Sequence, residues 1–374
     1  MRSCRHWRFV LVFGVGFLTQ FGEAPSAQAP ADAALSTGLV QSELTLTART
    51  ARVKFAPALQ AADPNHQRLL SPSSEDGRVH VGQLESTVSL TLSDVEVTAD
   101  SLSSPGHDLW LERRGENWQL QLGAINGISE PETTTDLSTV PLTHSVRTTA
   151  SPTFTAALIP TAADTGRLLL QWGVDQWTVD FRFGDPPVRE RRAPGTGDSR
   201  TREDDTSSIS RGKRLDERNE TQLVLLDGSR LSVLFFKELD ISGPDFPQIA
   251  TAGDGMLVQL TTGAVTRLKT ETPLQFGETT VDTDNLAPGF AGAYGLWLKR
   301  AERGWRLVFT HEPDVWGTQH DPAFDAAEIE LAYSHADSSA RPFGVSIQPT
   351  GTDRGRLVLH WGPHEWSADF IAAG

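Results

Sequence analysis

The sequence predicts an all-β protein: two tandem β-sandwich-like domains, mainly antiparallel with Greek-key or jelly-roll connections, joined by a disordered linker. Three observations predict it. Val88, Leu90, Leu92, Val95 and Val97 alternate with Ser, Thr and charged residues, with one slip at Ser93-Asp94 that marks a turn or bulge. Three segments recur in the same order at nearly constant offset. Turn chemistry separates short apolar runs, and no helical stripe lasts more than a few turns.

The recurrence is specific. Leu84 through Leu102 has the rhythm of Leu268 through Leu286. Leu109-Trp110-Leu111-Glu112-Arg113, four residues, then Trp118-Gln119-Leu120 matches Leu296-Trp297-Leu298-Lys299-Arg300, four residues, then Trp305-Arg306-Leu307. Gly166 to Gly173, with Trp177 and Asp180-Phe181, matches Gly355 to Gly362, with Trp366 and Asp369-Phe370. Two copies at this spacing mean duplicated domains rather than a solenoid.

Taken in chain order, residues 1–29 read as a signal peptide. Arg2, Arg5 and Arg8 precede the apolar run Phe9–Phe17, and Ala27-Gln28-Ala29 is a cleavage signal that places the cut before Pro30. The run is shorter than the roughly 20 residues a membrane span needs, so no span is expected after cleavage. The only cysteine, Cys4, lies before the run, so the mature domains have no disulfide and are held by burial. Residues 30–42 read as a flexible N-terminus, 43–183 as the first β domain and 221–374 as the second. Between them, residues 184–220 are charged, rich in Gly and Ser, and without aromatics. Such a stretch reads as a spacer that lets the domains move independently. Residues 321–331 are the best short-helix candidate, although Ile329-Glu330-Leu331 also suits the start of a strand. Leaving out Arg2, Arg5, Arg8 and Glu23, the formal net charge of -15 becomes about -17, which excludes steering toward nucleic acid or anionic lipid.

Eight of the ten Trp fall in four matched pairs across the copies. Trp172 and Trp177 flank Gly173-Val174-Asp175, and Trp110 and Trp118 flank Arg114-Gly115-Glu116-Asn117. Both are read as hairpins whose Trp lie near one another in the sandwich core. A platform for stacking sugar rings is the functional alternative, with the unmatched Trp316 as a domain-specific candidate. His360 and His364, with Glu365, have zinc-like spacing only on a helix, and here they flank a strand and turn. His311-Glu312, His320-Asp321 and His335 with Asp337 are dyads of an acidic surface. Asp282-Thr283-Asp284-Asn285 lacks the Gly and distal Glu of an EF-hand. Ser210-Arg211-Gly212-Lys213 lies in the linker, and Asn219-Glu220-Thr221 is a glycosylation sequon. No catalytic, cofactor-binding or metal residue is assigned, and no cofactor is expected.

The second copy resembles a known family. Thr280-Val281-Asp282, Leu286-Ala287-Pro288-Gly289, Gly292-Ala293-Tyr294-Gly295-Leu296 and Gly304-Trp305-Arg306-Leu307 look like exported bacterial proteins with Domain of Unknown Function 2911. The likeness continues through Val315-Trp316-Gly317, Asp321 to Asp325 and Leu357 to Trp361, and the first copy resembles the family only through the duplication. The family's Trp-Arg-x-Gly-Ala-Asn segment is replaced by Arg267-Leu268-Lys269 here and by Gln83-Leu84-Glu85 in the first copy. The resemblance implies an exported β-rich module and assigns no activity. The expected function is a non-enzymatic binding or structural module of the periplasm or cell exterior, with an envelope component or carbohydrate as partner. The alternative is a divergent hydrolase-like enzyme with a site around His311, Trp316 and His320.

Overall fold

The computed structural model describes residues 38–71, 77–98, 106–124, 137–185, 218–236, 239–260, 265–284, 287, 289–314, 320–336 and 339–373. The signal peptide, Trp316 and Ser210–Lys213 lie outside the described residues, as does the linker apart from 184–185 and 218–220.

The first half holds β1 (Val40–Leu46), β2 (Arg49–Phe55), β3 (Gly77–Ser86), β4 (Leu90–Leu92), β5 (Val95–Val97), β6 (His107–Arg114), β7 (Asn117–Ala124), β8 (Ser138–Pro160) and β9 (Thr165–Phe183). The second holds β10 (Arg218–Val224), β11 (Arg230–Phe236), β12 (Leu257–Val258), β13 (Thr266–Thr270), β14 (Leu274–Phe276) and β15 (Thr279–Val281). It continues with β16 (Ala293–Ala301), β17 (Gly304–Thr310), β18 (Asp325–His335), β19 (Gly344–Pro349), β20 (Arg354–Trp361) and β21 (His364–Ala372). Nearly all the regular structure is antiparallel strand, and the exceptions are short helical turns such as Pro64–Leu70.

The strands form because apolar side chains alternate. In β1, Val40, Leu44 and Leu46 turn inward with Ser42, while the residues between them are half exposed. The slip at Ser93-Asp94 is the β4–β5 turn, with Ser93 in the left-handed region at φ 54°. Gly115 and Glu116 close the β6–β7 hairpin, with Gly115 at φ 61°. The helix considered at 321–331 does not form. Asp321 caps a single 3-10 turn by accepting the Ala323 N–H, and β18 follows. Tertiary pairing overrides the helical signal: Ile329 and Leu331 turn inward, while Glu328 faces Lys299 and Arg306 on the neighbouring strands.

One antiparallel sheet crosses both halves in the order β8, β7, β6, β3, β2, β1, β10, β11, β13, β16, β17, β18. Each half adds a second layer. In the first, β4 pairs β5 and β9, and β9 pairs β8. In the second, β14 pairs β15 and β21, and β21 leads to β20 and β19. The long strand β8 changes layers. Ser138–Leu142 pairs β7, and the residues beyond pair β9. β18 does the same between β17 and β21.

β9 also turns back on itself. Arg167 donates two hydrogen bonds to Asp180, at 2.6 and 3.1 Å. Thirteen extended residues would span about 40 Å, so the chain must reverse between them, and it does so near Gly173 at φ 60°. The matching hairpin in the second half turns at Gly362, φ 57°, and its Arg356 and Asp369 make the same pair of bonds.

The two halves are not independent. β1 and β10 pair over Gln41–Thr45 and Glu220–Val224, and one apolar core cluster runs through both halves. Each fully buried Leu or Phe contributes about 1.5–3 kcal/mol. A core of this extent holds the fold without a disulfide, and Cys4 has no second cysteine to meet.

Candidate ligand-binding groove

Seven of the eight described tryptophans are buried in the core. Trp172, Trp177, Trp361 and Trp366 are 0 % exposed, and Trp118, Trp297 and Trp305 are buried. Trp110 is half-buried under the Arg78 guanidinium, 4.5 Å from the ring centre. None of these eight presents an open stacking face.

Of the histidines flagged in the sequence, His335 and His364 meet with ring centres 5.0 Å apart, and the others have separate surroundings. His360 is 1 % exposed on β20, and neither ring nitrogen has a partner. Burial, with Arg341 nearby, pushes it down to about 3, so it is neutral. His364 lies past the turn at Gly362 and is half exposed. It accepts from or donates to the Tyr333 hydroxyl at 2.8 Å, and burial, with His335, lowers its affinity for a proton. His311 packs on Tyr294, whereas His320 bonds Asp325 at 2.8 Å against Trp297. Each is engaged locally. Asp282 accepts the Thr283 N–H in a turn. Asn219 is buried and accepts the Thr47 N–H, so the sequon is closed to a glycan. Among the described residues, no group of three His, Cys, Asp or Glu side chains is placed to hold a metal.

One buried ionisable cluster is one the sequence did not single out. Asp175, 5 % exposed, accepts from His144 Nε2 at 2.8 Å. His66, 3 % exposed, stacks on Trp172 and donates from Nδ1 to the Ala61 carbonyl at 2.8 Å. Its Nε2 lies 3.6 Å from Asp175 Oδ2, beyond hydrogen-bond range. The second half places Phe246, His364 and Tyr333 at the equivalent points around Trp361 and Trp366. Only His144 is partly open to solvent. The cluster ties the segment around Ala61 to the tip of the β9 hairpin and leaves no room for a substrate between its groups. Residues 66, 144 and 175 share no motif spacing, so nothing in the sequence pointed to them.

An open site lies where the halves meet. A groove of about 480 Å³ runs between them, within the 300–1,000 Å³ common for small-molecule sites. From the first half it is lined by Arg147, Thr149, Thr155, Leu169 and Gln171. The second half contributes Gln275, Gln348, Pro349, Arg354, Arg356 and Ile371. Arg356 is committed to Asp369 by two bonds. Arg354 uses only Nε toward Asp353, at 3.1 Å, and Arg147 uses one Nη toward the neutral Gln176 side chain, at 2.9 Å. The local β8–β9 and β19–β20 registers identify the corresponding positions on the other side of the seam. Thr155 and Gln171 pair across the first ladder as Gly344 and His360 pair across the second. There the crevice is filled: a Cβ added at Gly344 would press on the His360 ring and on Pro160, whose ring is 3.0 Å away. On the groove side the equivalent Gln171 keeps solvent exposure.

The motif that carries the family resemblance has a structural cause. Gly292, at φ 66°, crosses so close to the Thr270 carbonyl that any Cβ would collide with it. Two residues on, the Tyr294 hydroxyl donates to the Asp282 carbonyl at 2.6 Å. Glycine and tyrosine thus pin the loop after β15 to β13 and β16. No curated protein and no solved structure matches the chain. The family model described as "Protein of unknown function (DUF2911)" matches residues 259–370, which run from before β13 into β21.

Proposed function

We propose that this protein is an exported, non-enzymatic binding module of the cell envelope, and that its ligand seat is the groove between the halves. The observation that carries this reading is the asymmetry of the seam: equivalent positions are packed shut around His360 and left open around Gln171. Packing alone favours filling both sides, because an unfilled crevice forfeits contacts. The groove lining holds no His, Cys, Ser–base pair or carboxylate dyad suited to turnover, apart from Asp369, which is held by Arg356. This favours binding over the hydrolase alternative.

Export rests on the basic, then apolar, N-terminus and its Ala-x-Ala signal, with the mature chain starting at Pro30 in the periplasm or outside the cell. We also infer that the first half is a divergent duplicate of the second. The recurrent Trp segments support this, as do the matched order of pairings and the two layer-switching strands.

The test is saturation-transfer NMR on the mature chain against a panel of small soluble envelope glycans and metabolites, repeated with Gln348→Trp, which fills the groove. At least one ligand should receive saturation from the wild type and lose it with the variant. No ligand in the panel, or one indifferent to the variant, overturns the reading.

A further inference from the structure

We infer that the groove takes an acidic saccharide, its carboxylate held by Arg147 and Arg354; this rests on the binding reading above. The two side chains enter from opposite halves, Arg147 from the β8 bend and Arg354 from the start of β20. Each spends one N–H on the protein, and a guanidinium has five. The planar fork left over suits a carboxylate, which it can grip through two parallel bonds. Arg147 is exposed, and its side-chain bond goes to the neutral Gln176 rather than to a carboxylate.

The rest of the lining selects the body of the ligand. Gln171 turns its amide N–H groups to the Thr149 and Gly173 carbonyls, and Gln275 and Gln348 each spend one on the protein, so the three amides offer the ligand chiefly their oxygens, which accept from hydroxyl groups. Leu169, Pro349 and Ile371 supply apolar surface for the CH faces of a ring. The aromatic in the lining, Phe370, is only 2 % exposed, so affinity must come from the arginines and amides rather than stacking.

The surroundings sharpen this. The chain carries a formal charge of -15, so a diffuse field repels anions. An acid that binds here is recognised at short range, and its affinity falls as salt rises.

Isothermal titration of the mature chain with trigalacturonic acid, its methyl ester and maltotriose tests the proposal, with inorganic phosphate as a separate arm. Trigalacturonate should bind, the ester and maltotriose at least tenfold more weakly, and phosphate alone not measurably. Arg147→Ala and Arg354→Ala should each weaken the acid at least tenfold without changing maltotriose or the melting temperature. If maltotriose binds as well as the acid and loses its site in Gln348→Trp, the groove stands and the acidic class falls. If phosphate binds and trigalacturonate does not, the site is a simple oxyanion seat and the saccharide class is overturned. If none of the four probes binds, the acidic-saccharide assignment is wrong, and the broader panel decides the groove separately.

Discussion

Glu43 lies opposite Gln222 in the β1–β10 ladder, and the two residues hold the same place in their own halves. Glu43 faces Arg52 on its other side as Gln222 faces Ser232, and those partners face Glu85 and Lys269 in turn. Leu44 meets Thr221 and Ser42 meets Leu223, so the ladder reads alike from either end. The halves thus meet as the subunits of a twofold dimer do, by one self-complementary edge.

Cutting the chain should not part them. With a specific protease site placed within residues 186–217, the cleaved halves are expected to co-elute on gel filtration. The pair Glu43→Cys and Gln222→Cys should crosslink on oxidation, because directly opposed strand residues lie inside the Cα range of a disulfide. Separate elution of the cleaved wild-type halves would refute the continuous sheet.

Glu220 sits on the same seam. Burial pushes its carboxyl up, the Ser232 hydrogen bond opposes this, and neighbouring Glu43 adds to the rise. A carboxyl raised in the fold keeps its proton to higher pH than in the unfolded chain, so it subtracts stability as pH climbs past its ordinary range. Glu220→Gln should therefore stabilise the protein at pH 7, by up to about 1 kcal/mol. The gain should close below pH 4.5, the ordinary value, when denaturant midpoints are compared across pH.

His360 sets the opposite slope. Its proton affinity falls to about 3 in the fold from an ordinary 6.5, so the unfolded chain binds more protons between those values. Its contribution is whole above pH 6.5 and is lost as pH falls toward 3, amounting to about 4 kcal/mol at pH 3. His360→Gln, which copies Gln171, should flatten that part of the stability–pH curve. An unchanged slope in the variant would show that another group is responsible.

His66, Asp175 and His144 should behave as a unit. His66→Phe, the counterpart of Phe246, keeps a ring on Trp172 but leaves the Ala61 carbonyl unpaired and removes the imidazole beside Asp175. A loss of about 1–3 kcal/mol is expected in chemical denaturation. Adding Asp175→His and His144→Tyr, the second half's set, should recover part of it, because coupled neighbours are non-additive. Strictly additive losses would argue against the cluster.

Much of the fold was legible because it rests on local rules. Alternation in β4 and β5, the left-handed Gly115 and Gly173, and the matched Trp pairs each report their structure within a few residues. The β1–β10 ladder was not legible. Val40–Leu46 and Arg218–Val224 lie almost 180 residues apart, and an alternating strand does not state whose edge it will join. The groove was hidden for the same reason. Arg147 and Arg354 look like ordinary surface charges until the seam brings them to one cleft.

The ladder also carries a kinetic consequence. β1 is made early, yet its outer edge finds β10 only after the first half and the intervening segment have emerged. Until then it is an exposed β edge, the feature by which unrelated chains aggregate. Because its partner is on the same chain, the pairing is intramolecular, and its effective concentration does not depend on how much protein is present. At ordinary protein concentrations that partner outcompetes a stranger. Carrying both halves on one polypeptide therefore protects the newly made chain, since an edge that separate subunits would leave open until they collided is closed by the chain's own second half.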